Sequence, residues 1–157
     1  MAALSNTFVN KTIDWLFRAQ AIGLGGASAG AGTGPTTLWV AAYTVMPTAS
    51  TAGTEVTGGA YARVAVTSPL ANWAGTQGAG TTAISSGSSN VTSNNNPVTF
   101  PAPTGSNYSG PIVGFAICDA VSGGNIVAFG TQTPNKTVNN GDPAPSFAAG
   151  ALTFSLN

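Results

Sequence analysis

One stretch of this sequence, residues 6–22, carries helical periodicity, and nothing after Pro35 runs far before a Gly, Pro or Asn interrupts it. That pattern confines the chain to one helix followed by short β strands joined by turns. Ser5 or Asn6 caps the helix, and Asp14 stands three residues after Lys11 and four before Arg18, the spacing at which side chains meet on one helical face. With Asn10 these three form a narrow polar stripe. Phe8, Val9, Ile13, Trp15, Leu16 and Phe17 cover most of the remaining circumference. A helix so apolar does not lie on a surface with one face buried. These six residues are therefore assigned to a core or to a contact between subunits.

Beyond the helix, residues 23–35 form a connection rich in Gly and Ala. It lacks the Gly-Lys-Ser/Thr ending of a phosphate loop and follows a helix, not a strand. Thr37–Thr44 reads as a strand buried on both faces, and Tyr61–Thr67 as an alternating one after the Gly58-Gly59 turn. Short strands follow at Pro97–Phe100, Ile112–Cys118, Ile126–Thr131, Lys136–Val138 and Ala151–Leu156, with a hairpin connection at 119–125. The fold class is mainly β: an antiparallel sandwich or barrel of six to seven short strands with one N-terminal helix. The expected organisation is a helix at 1–22, the connection at 23–35 and a β-sandwich domain over 36–157. Within that domain residues 74–96 read as a long low-complexity surface loop or arm.

Charge is almost absent. Among 157 residues there are four basic and four acidic side chains and no histidine, where roughly a quarter of an ordinary protein is charged. No basic cluster exists to hold nucleic acid. Histidine-dependent nucleophilic catalysis, histidine metal sites and imidazole switches are excluded. A hydrophobic content of 43% with zero net charge is also unlike a disordered chain. The apolar run Leu38–Tyr43 is far short of a membrane span. Met1–Phe8 has neither the basic nor the apolar region of a secretory signal, so the expected site of synthesis and assembly is a cytoplasm. A surface this poor in charge fits a component of an assembly, covered in part by partners.

The groups that could carry chemistry are few. Asp14 is matched to the helix pairing, Asp119 and Asp142 sit in turns where carboxylates accept backbone amides, and Glu55 and Arg63 flank a turn across which they can pair. No calcium-loop spacing of acids occurs, and no catalytic residue, metal site or cofactor is assigned. Cys118, the lone cysteine, lies in an apolar run and reads as a small buried hydrophobe. Trp73 and Tyr108 stand beside loops, where an aromatic ring could stack on a receptor sugar.

Five phrases in fixed order, LSNTFVNKTIDWLFRAQ, TTLWVAAYTVMPT, GTEVTGGAYARVAV, VGFAICDAVSGGNIVAFGTQTPNKTVNNGDP and SFAAGALTFSL, span nearly the whole chain. In these the sequence resembles a family of small tailed-bacteriophage virion proteins, often labelled phage tail fibre proteins. The resemblance implies a structural virion protein without enzymatic activity. The reading adopted from the sequence is a capsid decoration or cement protein that bridges capsomers, its partners the major capsid protein and copies of itself in a trimer. The alternative is a tail, baseplate or short tail-fibre component in host attachment, with tail proteins as partners. Neither involves nucleic acid or membrane.

Overall fold

A computed structural model describes residues 4–23 and 32–156; positions 24–31 of the expected connection lie outside the described residues. Among the described residues the fold is mainly β, with one helix and antiparallel ladders, as the periodicity predicts. Helix α1 (Asn6–Arg18) precedes β1 (Thr37–Val45), β2 (Thr54–Glu55), β3 (Val64–Thr67), β4 (Val91–Ser93) and β5 (Val98–Thr99). Then come β6 (Ile112–Cys118), β7 (Ile126–Lys136), β8 (Ser146–Phe147) and β9 (Thr153–Ser155). Among the described residues no sheet closes into a barrel. The contacts divide the chain into two units, one of Met1–Thr37, Thr67–Pro97 and Phe147–Asn157, the other of Leu38–Val66 and Val98–Ser146. The 36–157 span thus contributes to both units, because α1 draws the 67–97 stretch and the C-terminal strand to itself.

In the first unit, the Ser5 hydroxyl accepts the Phe8 N–H and caps α1. The helix stops at Arg18, four residues before the periodicity runs out, because Ala19 turns into the left-handed region (φ 53°) and the Gln20 N–H closes on the Asp14 carbonyl. Two adjacent rows of the helix face inward: Val9, Ile13 and Phe17, and beside them Asn10, Asp14 and Arg18. The apolar row packs on Trp73 and Phe154, with Phe17 5.0 Å from Trp73 and 5.1 Å from Phe154 between ring centroids. Each such aromatic pair contributes about 1 kcal/mol beyond its buried area. β9, paired to β4 from Val91↔Ser155 to Ser93↔Thr153, carries Phe154 to that cluster.

The polar row is buried. Residues 74–96 do not form an arm. Ala74, Thr76, Ser85, Thr92, Ser93 and Asn94 are all buried, and 91–93 is a strand. A chain segment poor in hydrophobes packs here because its polar groups find partners. Asn94, 1% exposed, donates to the carbonyls of Asn96 and Ala148 and accepts the Leu152 N–H. Thr76 donates to Asn10 Oδ1 and accepts the Gly87 N–H.

The second unit is built on a five-stranded sheet in which β2 and β3 both pair β1, followed by β6 and β7. β1 and β6 pair from Trp39↔Cys118 to Tyr43↔Gly114. Alternation puts Trp39, Ala41, Tyr43, Ala116 and Cys118 on one face and Leu38, Val40, Ala42, Phe115 and Ile117 on the other. Both faces of β1 are buried, as its continuous apolar run predicts. Gly130 stands opposite Phe115, whose ring comes within 3.0 Å of where a Cβ would stand. Tyr61 fills the edge of β1: its hydroxyl accepts the Ala42 N–H and donates to Glu55, while its ring stacks on Phe100 and meets Tyr108 edge-on.

Candidate functional site

The sequence offers eight formal charges for any chemistry, and the fold engages most of them internally. Arg18 is fully buried and uses all five of its N–H donors. Its Nε reaches the Trp73 carbonyl at 2.9 Å, Nη1 reaches Asp14 at 2.7 Å and Ser85 at 3.2 Å, and Nη2 reaches the carbonyls of Leu70 and Ala83. Asp14 accepts in turn from the Ser85 N–H and hydroxyl. The i, i+4 spacing in the helix supplies the pair; the planar guanidinium then gathers backbone from both sides of the 70–85 stretch.

In the second unit Arg63 grips Glu55 with two parallel bonds, Nε to Oε1 at 2.9 Å and Nη2 to Oε2 at 2.7 Å, the pairing that their positions across the turn predict. Its Nη1 ties down the carbonyls of Ala120 and Gly123 in the β6–β7 turn. The hydrogen bonds to Glu55, above all, hold the guanidinium pKa above its ordinary value. Asp119 and Asp142 cap turns as expected, accepting the N–H of Asn125 and of Asn139 respectively. Hydrogen bonds from Asn125 hold the Asp119 carboxyl below its ordinary pKa. Burial pushes the Cys118 thiol up and the Tyr43 hydroxyl up to about 12, so neither is an activated nucleophile.

Two depressions lie in the first unit. One, of about 510 Å³, runs between α1 and residues 84–88 and is lined by Asn10, Lys11 and Asp14. The other, of about 560 Å³, is lined by Arg18, Gln20, Thr36 and Ser68. The Asn10, Asp14 and Arg18 groups that reach them are already hydrogen-bonded within the protein. No group of three potential metal ligands occurs among the described residues.

The residues singled out from sequence are distributed as follows. Val9, Ile13 and Phe17 are core; Trp15 and Leu16 are half-buried; Phe8 is 36% exposed. Trp73 and Tyr108 do not face solvent. Trp73 is 0% exposed inside the aromatic cluster, and Tyr108, 4% exposed, donates its hydroxyl to the Pro101 carbonyl. A loop-flanking position put them inside the loops' hydrogen-bonded packing, so neither offers a ring face to a sugar. What the sequence reading missed is the outer edge of β7, which continues past the expected Thr131 to Lys136 and has no buried residue.

No helix among the described residues is long and apolar enough to cross a membrane. Compared with known proteins, the chain matches over residues 3–155 the family described as Podophage GP4 fiber I protein gp80. No curated protein matches it.

Proposed function

This chain belongs to the family of podophage GP4 fiber I protein gp80, and on that premise we propose that it is a non-catalytic structural part of the tail-fibre apparatus used in host attachment. The observation that carries this reading is the span of the family match, residues 3–155, which leaves almost none of the chain outside a fibre protein's pattern. The engagement of Arg18, Asp14, Glu55 and Arg63 in internal pairs supports a structural role, since it leaves little charge for substrate or cofactor. The match favours the fibre over the capsid-decoration reading adopted from the sequence.

The test is a phage lacking this chain. Full heads of ordinary heat resistance together with impaired adsorption are expected. Normal adsorption with heads that leak on heating would replace this reading with decoration.

A further inference from the structure

Buried polar groups in folded proteins are paired, and each exception asks for an explanation. Among the described residues three buried side-chain atoms lack a partner: Ser68 Oγ, Trp73 Nε1 and Asn90 Oδ1. Of these residues only Ser68 borders either depression of the first unit. It is 0% exposed and lies in the floor of the depression of about 560 Å³, beside Arg18, Gln20 and Thr36. The walls are fixed by internal bonds. The Ser68 N–H donates to the Thr36 carbonyl at 2.9 Å and the Asn72 N–H to the Pro69 carbonyl at 3.0 Å. Gln20 Nε2 donates to the Arg18 carbonyl at 2.8 Å, and Arg18 Nη2 reaches the Leu70 carbonyl. Two more neutral groups stand ready: Gln20 Oε1 and the Thr36 hydroxyl have no partner among the described residues. Pro69, Leu70 and Ala71 complete the wall with apolar surface. The one charge there, Arg18, has its donors occupied and is balanced by Asp14.

We infer that this depression binds one ring of a neutral sugar, with the Ser68 hydroxyl as its innermost contact. The lining selects that chemistry. A charged ligand would lose water and find no free counter-charge, and a purely apolar one would leave the Ser68 hydroxyl unpaired. A sugar ring carries both surfaces that the depression presents. Its C–H face matches Pro69 and Leu70, and its hydroxyls match Ser68, Thr36 and Gln20 Oε1. Ligand sites of a few hundred Å³ ordinarily combine apolar walls with a small number of fixed polar groups in this way. Walls already held by their own bonds keep the ordering cost of binding low. Binding does not depend on where in the virion the chain sits. Only the assignment of the sugar to a host surface polysaccharide, as against a free sugar, rests on the attachment reading.

Saturation-transfer NMR on the purified full chain tests it, with glucose, galactose, mannose and rhamnose as probes at millimolar concentration. At least one of the four is expected to receive saturation from the wild type. Ser68→Ala is expected to weaken that binding roughly five- to tenfold and to melt no lower than wild type, because the hydroxyl it removes has no partner in the fold. Ala71→Trp, at the exposed rim, fills the depression without touching Ser68 and should abolish binding with an unchanged Tm. Transfer to none of the four sugars, or transfer that persists in both variants, would overturn the inference and leave the attachment reading standing. Phage carrying Ser68→Ala separate the two sources: weakened adsorption assigns the sugar to the host surface, and unchanged adsorption beside weakened binding assigns it to a free sugar.

Discussion

Arg18 and Asp14 stand one helical turn apart, joined at 2.7 Å, with side-chain exposures of 0% and 4%. In a chain with so few charges, this pair lies inside one unit and not on its surface. A buried ion pair is weak evidence for stability in itself, since desolvation offsets the Coulomb attraction. Its role here is to specify: five donors in a rigid fork find acceptors on Trp73, Asp14, Ser85, Leu70 and Ala83. They fix a Gly, Ser and Thr-rich segment that has little apolar side chain to define its path.

Removing one member leaves the other charged and unpaired. Arg18→Leu or Asp14→Leu is expected to destabilise by about 3–5 kcal/mol, and the double variant by clearly less than the two single effects together. Urea unfolding of the four proteins measures the cycle; simple additivity would show that the two side chains act separately.

Ala19 ends α1 with φ 53°, a conformation costly for any residue with a Cβ. Ala19→Gly is expected to raise stability by about 0.5–1 kcal/mol, the relief of strain exceeding the added freedom of the unfolded chain. Thermal melting checks the sign; a lowered Tm would contradict the cap.

The two aromatics that sequence reasoning offered to a receptor should behave as core. Trp73→Ala is expected to cost about 3–5 kcal/mol. Tyr108→Phe, which removes only the bond to Pro101, should cost about 1 kcal/mol. Phage carrying Tyr108→Phe are expected to adsorb normally; selective loss of adsorption with unchanged melting would place Tyr108 at a receptor.

Because its bonds to Asn125 lower the Asp119 pKa in the folded state, Asp119 stabilises the fold above its unfolded value, 3.8, and the contribution is lost as pH falls through the lower folded value. Acid should therefore loosen the 119–125 turn, and Asp119→Asn should remove that share of the acid sensitivity. Amide exchange of Asn125 against pH follows it; no difference between the two proteins would dismiss the turn's dependence on the carboxylate.

Periodicity made the helix, the doubly buried β1 and the β6–β7 hairpin readable, because apolar spacing reports directly which faces are covered. It is silent on the buried part of residues 74–96, where the burial is polar. Nothing in a run of Ser, Gly and Thr announces that Thr76 will bond Asn10 or that Ser85 will cap Asp14, since such partners are set by convergence of distant backbone. The same gap left the helix's polar stripe half read: spacing predicts that Asp14 meets Arg18 but not that carbonyls from residues 70–83 complete the guanidinium's shell. Trp73 and Tyr108 beside loops looked exposed for that reason.

The central claim, a fibre component and not a head decoration, is tested most directly by counting this chain in separated heads and tails by quantitative mass spectrometry. The account predicts a small copy number travelling with tails; hundreds of copies travelling with heads would contradict it.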